Sequence, residues 1–158
     1  MKHVTRLFVP LMLIVLALTA CNRDNANISI DSNSLSITVS ESTINSAWRV
    51  VAPRVRIDNL AINLQTNQAV ITSTLTPVRG SGAYPVQVTM VPTVSNGIVV
   101  WSMTSATVNG VGANAEQLAD INEAIVNSWN NYISGTYGAR RVTAVTITES
   151  DITYTLSR

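Results

Sequence analysis

Along this chain, apolar and polar residues alternate with a period of two over most of the length and with a helical period in two stretches. Ile28 and Ile30 alternate with Ser29 and Asp31, and Leu35, Ile37 and Val39 with Ser36 and Thr38. A period of two rich in β-branched residues marks a strand with one buried face. Asp31-Ser32-Asn33-Ser34 between them reads as a turn. Ser40 is placed as a helix N-cap, with Glu41 in the first turn where the helix dipole favours an anion. Ile44, Ala47, Trp48 and Val51 share one face at helical spacing, and Pro53 sets an end by Ala52. Arg49 near that end suits the dipole.

The middle of the chain reads as a four-strand antiparallel meander. The first strand spans about residues 55–64, with a phase change at Asp58-Asn59 that predicts a bulge. Thr66-Asn67-Gln68 turns the chain, and the second strand, about residues 69–76, stops at Pro77. After a loop with Gly80-Ser81-Gly82, the third strand covers about residues 86–94. Asn96-Gly97 predicts a type I′ hairpin into a fourth strand over about residues 98–108, ended by Asn109-Gly110-Val111-Gly112. A longer helix follows over about residues 115–133. Leu118, Ile121, Ile125, Trp129 and Tyr132 form its apolar stripe, Asn114 and Gln117 a capping box, and Gly135 a stop. The chain closes in a hairpin: Val145 and Ile147 face Ile152, Tyr154 and Leu156 across Glu149-Ser150-Asp151.

The expected class is α+β, in the order strand, short helix, four strands, long helix, two strands. The economical architecture is one twisted antiparallel sheet with both helices on its concave face. No internal repeat or low-complexity tract interrupts it.

The first twenty residues follow different rules. Lys2 and Arg6 precede an apolar run from Leu7 to Leu18, too short for a comfortable crossing at about 20 residues but suited to a secretory signal. Ala20 and Cys21 close it, and Cys21 is the only cysteine in the chain. Leu18-Thr19-Ala20-Cys21 resembles the lipobox of bacterial lipoproteins. That resemblance implies a lipid on the Cys21 thiol, cleavage between Ala20 and Cys21, and acylation of the new amino terminus. An ordinary cleaved signal with a chance cysteine, or an uncleaved anchor, is the competing reading. Organisation then follows as signal peptide 1–20, lipidated tether 21–27 and a single domain 28–158. The six residues after Cys21, Asn22 to Asn27, reach at most about 20 Å, which keeps the domain close to the membrane on its extracytoplasmic face. Asn22 in place of an aspartate leaves inner and outer membrane open.

Composition excludes several chemistries. Beyond residue 20 the chain has eight arginines against nine carboxylates, no lysine and no histidine. A near-neutral domain without a clustered basic face is a poor nucleic-acid binder. Without histidine or lysine, Ser-His-Asp catalysis, Schiff bases and P-loop chemistry fall away, and with no free cysteine a zinc site does too. The reading is therefore no enzyme, no metal and no cofactor. Gly110-x-Gly112 lacks the third glycine of a dinucleotide turn and is taken as a loop. Glu149 with Asp151 is the remaining candidate for paired acid–base work, and Asp31-Ser32-Asn33 begins like a calcium loop; both are taken as turns. Arg54 and Arg56, and Arg140 and Arg141, are candidates for anionic headgroups or simply solvated faces.

Ser40-Glu41-Ser42-Thr43-Ile44-Asn45, entering a short helix after a strand, is similar to the opening of some small envelope lipoproteins with a BPI-like (TULIP-type) lipid-binding fold. There a curved sheet wraps a long helix and leaves an apolar groove. The resemblance implies a hydrophobic ligand as one candidate and carries over no ligand residue. From the apolar pattern of the chain itself, Trp48, Trp101, Leu118, Ile121, Ile125, Trp129 and Tyr132 are the candidates to line such a groove. The alternative is a structural or protein-interaction module of the envelope with those residues as its filled core.

Overall fold

The computed structural model describes residues 26–30, 35–79 and 81–157; the lipobox, the calcium-like Asp31-Ser32-Asn33 and Gly80 lie outside them. The fold is α+β. Its strands are β1 (Ala26–Ile30), β2 (Leu35–Ser40), β3 (Val55–Gln65), β4 (Gln68–Pro77), β5 (Tyr84–Ser95), β6 (Ile98–Val108), β7 (Val111–Gly112), β8 (Val142–Ile147) and β9 (Asp151–Leu156). The short helix α1 is Glu41–Ala47. A longer one runs from α2 (Ala115–Ile121) through a π-helical segment, Asn122–Val126, into α3 (Asn127–Tyr137).

The strands form two antiparallel sheets, where periodicity suggested one. Sheet order is β1-β2-β9-β8 and β3-β4-β5-β6-β7. The first exists because β2 pairs with β9, Val39 opposite Ile152 and Ile37 opposite Tyr154. The second keeps the expected meander, with the bulge between Asp58 and Ala61. Asn-Gly does the expected work at the β5–β6 hairpin, where Asn96 and Gly97 have φ of 54° and 82°. The same dipeptide at Asn109-Gly110 makes a second such turn, at 53° and 75°, into the two-residue β7. The two sheets meet at hairpin tips. Asn67 N donates to Ile147 O at 3.3 Å, and Val142 N to Gly97 O at 2.8 Å, so both tips lie along β8.

Both helices differ from their patterns. Ser40 caps α1 through Thr43 N, but the helix ends at Ala47 with Trp48 already extended, so Val51 is 94% exposed rather than on the buried face. Arg49 does bond the end of α1, donating to Trp48 O at 2.7 Å and Asn45 O at 3.3 Å. The long helix passes Gly135 and stops at Gly138, whose φ is 63°. Beyond Ile125 its buried residues are Val126, Trp129, Ile133 and Tyr137. Repeated steps of four drift off one face of an α-helix, and the π turn, with more residues per turn, brings them back. That is why Ile133 and Tyr137, rather than Tyr132, carry the stripe onward.

Helix side chains also finish the edges of the second sheet. Asn45 Oδ1 accepts from Ile62 N at 2.7 Å and its Nδ2 donates to Ile62 O at 2.9 Å, as a paired strand would. Glu41 accepts from Leu64 N at 2.7 Å. Four helical residues rise about 6 Å, close to two strand residues at about 3.4 Å each, so Glu41 and Asn45 match Leu64 and Ile62. On the other edge, Asn130 treats Trp101 the same way, accepting from its N at 3.0 Å and donating to its O at 3.1 Å. Asn45→Ala and Asn130→Ala are each expected to lower stability by about 1–3 kcal/mol, since a part-buried N–H and C=O lose their partners. Urea midpoints of the two variants check this; values unchanged from the parent would show that solvent replaces the amide freely.

Candidate functional site

The seven residues of the expected groove divide sharply. Trp48, Trp101, Ile121, Ile125 and Trp129 are buried in the common core, while Leu118 and Tyr132 are half-buried at its margin. Trp129 sits between the other two indoles, its ring 5.0 Å from Trp48 and 5.2 Å from Trp101, both edge-on. Trp48 Nε1 donates to Ser128 Oγ at 3.2 Å. Sheet and helix are packed together at the indoles. The clefts along the middle of the helix, beside Trp48 and Tyr132 and beside Trp101 and Leu118, are open to solvent, with polar residues such as Asn127, Ser128 and Asn131 or Asn122 and Asn130 in their walls. A small cleft of about 210 Å³ lies near Ile121, Gln117 and Asp120, under the start of the helix.

A larger cleft, about 530 Å³, opens at the other end, and no sequence pattern pointed to it. Its walls are β1 and β2 (Ala26, Ile28, Ile37, Val39), α1 (Thr43, Ala47), the last turns of the long helix from Tyr132, and Gly138, Ala139 and Arg140 just after it. That volume is within the range of small-molecule sites. Two features shape it. First, β1 continues the apolar face of its sheet beyond the helix: Ile28 opposes Ile37 and Ile30 opposes Leu35, yet Ile28 is 59% and Ile30 77% exposed. Second, the helical wall is made small. Gly135 lies within α3, where glycine is about 0.8–1 kcal/mol less favourable than alanine, and a Cβ built there meets nothing within 4 Å. Arg140 is the one charged side chain on the walls, and no hydrogen bond or ion pair holds it among the described residues.

No protein-family model matches the chain, and neither does any curated protein or solved structure. Its own residues therefore carry the functional argument.

The other candidates separate. Arg56 pairs with Asp58 at 2.8 Å on an exposed strand face, while Arg141 lies against Gly97. Glu149 is exposed, and Asp151 accepts from the neighbouring Ser150 hydroxyl at 2.6 Å, so these two carboxylates belong to the β8–β9 turn. Among the described residues no three acidic, His or Cys side chains gather as a metal site would require, and no helix is long and apolar enough to cross a membrane.

Among the described residues, four buried side-chain polar atoms have no hydrogen-bond partner: Trp101 Nε1, Trp129 Nε1, Tyr154 Oη and Ser73 Oγ. Burial lifts the Tyr154 phenol well above the ordinary 10.0, and the Tyr137 and Tyr132 phenols add to the shift. The Trp101 indole pulls the other way without reaching hydrogen-bonding geometry. Burial also raises Tyr132. Below about pH 10 both states hold these protons. Above it the unfolded chain releases them first, binds fewer protons than the folded chain, and stability falls as pH rises. Tyr154→Phe is expected to flatten that alkaline loss. Because the lost hydroxyl has no protein partner, the variant should match or exceed the parent at neutral pH, by up to about 2 kcal/mol. Thermal unfolding followed from neutral pH to about pH 11 reads both effects.

Proposed function

We propose that this protein is a lipid-anchored module of the bacterial envelope, a binding protein rather than an enzyme, that holds a single acyl chain with an anionic head in the cleft beneath β1. The observation that carries this reading is the make-up of the cleft: apolar and small side chains on its walls, and one unpaired cation, Arg140, among them. Walls of this kind exclude water around a hydrocarbon tail, each methylene of which gains about 0.8 kcal/mol on leaving water. A guanidinium then suits the carboxylate or phosphate at the end of the tail. The position fits as well. Cys21 lies five residues before Ala26, at most about 18 Å of extended chain, so the lipidated anchor leaves the cleft close to the membrane that supplies such ligands.

The test is native mass spectrometry of the protein purified in mild detergent, before and after organic extraction, followed by titration with palmitate. The expected result is an extractable lipid-sized adduct, or stoichiometric palmitate uptake, that is lost in Gly135→Leu. That substitution improves helix propensity and puts a side chain into the cleft, so binding should disappear while thermal stability holds or rises. Equal uptake by parent and variant, or none by the parent, overturns the reading. A second reading, a structural or protein-interaction module without a ligand, is favoured by the filled indole core around Trp129. It would stand if the parent takes up nothing.

A further inference from the structure

Sheet edges invite pairing with other chains, and proteins blunt them with charge, proline, bulges or cover. Three of the four sheet margins here carry such a device. Asn45 and Glu41 occupy the end of β3, whose other half is bulged and bears Arg56 and Asp58. Asn130 and the Tyr137 hydroxyl take the outward N–H groups of Trp101 and Val99 on β6, and β7 is only two residues long. The two hairpin tips lie along β8. β1 carries none of these. It reads Ala-Asn-Ile-Ser-Ile, without charge or proline, and no hydrogen bond reaches its outer edge among the described residues.

The strand is also self-complementary. About Ile28, apolar Ala26 mirrors Ile30 and polar Asn27 mirrors Ser29. We infer that β1 pairs antiparallel with β1 of a second copy across a two-fold axis at Ile28, joining two four-stranded sheets into one of eight. This is an isologous contact, the commonest kind in homodimers. It places Ile28 against its own mate and Ala26 against Ile30, with all the apolar residues on one face. The partner strand then lies alongside the exposed Ile28 and Ile30 and extends the roof of the cleft. Anchoring at Cys21 holds the copies in one membrane plane and raises their effective concentration. The pairing does not require the ligand proposed above, and it stands or falls separately.

Cysteine crosslinking in membranes from cells producing the full chain tests it, with the parent, whose only cysteine is Cys21, as background. Directly opposed residues in an antiparallel pair have Cβ atoms about 4.5–5.5 Å apart, within small adjustment of a disulfide. Ile28→Cys should therefore give a band at twice the monomer mass under mild oxidation, well above the parent. Ile30→Cys should not, because its mate is displaced by four residues, about 14 Å along the strands. The native mass of the parent in mild detergent is the independent measurement, and a dimer that becomes a monomer in Ile28→Lys is expected. No doubled band at position 28, equal bands at 28 and 30, or a monomeric parent would each overturn the inference.

Discussion

Trp129→Ala is expected to lower the stability of the domain by about 3–5 kcal/mol, the usual loss for a fully buried tryptophan. Trp129 has no exposed surface and stands edge-on to both Trp48 and Trp101. Together with Ser128 and Asn130, it links the long helix to Trp48 after α1 on one side and to β6 on the other. A native domain has only about 5–15 kcal/mol to lose, so the folded fraction should fall markedly at body temperature. Val51→Ala provides the contrast. Val51 is 94% exposed, so its truncation should change stability by no more than about 0.5 kcal/mol. Urea midpoints of parent and both variants, read by circular dichroism, decide it. A Trp129→Ala midpoint close to that of Val51→Ala would mean the three indoles are not the keystone described above.

On the lipid-anchored reading proposed above, Cys21→Ser should abolish lipid attachment altogether. If the lipobox resemblance holds, labelled fatty acid enters the parent and not the variant. Cleavage after Ala20 fails too, so the variant accumulates as a precursor still carrying residues 1–20. The physical reason is that serine offers no thiol for the thioether on which that processing depends. One acyl chain alone binds a membrane only marginally, and stable anchoring takes more than one signal, so the fully processed parent should partition into the detergent phase. Labelling and intact mass measured on the same cultures separate the possibilities. A variant cut after Ala20 like its parent, with label in neither, would leave an ordinary secretory signal.

Local rules reached far in this chain because they act between neighbouring residues. Period-two alternation placed the strands, except the two-residue β7 whose residues read as loop, within a few residues of their observed ends. Asn-Gly located the β5–β6 hairpin because both residues tolerate positive φ. Ser40 and Asn114 were legible as caps because a short side chain only has to reach an amide three residues on. The absence of lysine and histidine beyond residue 20, and of a second cysteine, narrowed the chemistry before any fold was known.

Tertiary structure decided what depends on partners distant in sequence. Alternation shows that β2 and β9 each have an apolar face, but not that Ile37 will lie opposite Tyr154, more than a hundred residues away. That pairing turned one expected sheet into two. Nor does periodicity show that Trp48, Trp101 and Trp129, from three separate parts of the chain, will stand edge-on to one another. The π turn at Asn122–Val126 moved the helical stripe by one residue, a shift that no α-helical wheel contains. The cleft at Arg140 was invisible for the same reason. Its walls come from β1, α1 and the end of α3, and its depth depends on a glycine at position 135 that reads locally as a helix stop. Chain-local chemistry decided which elements form; packing between distant elements decided which surfaces stay open.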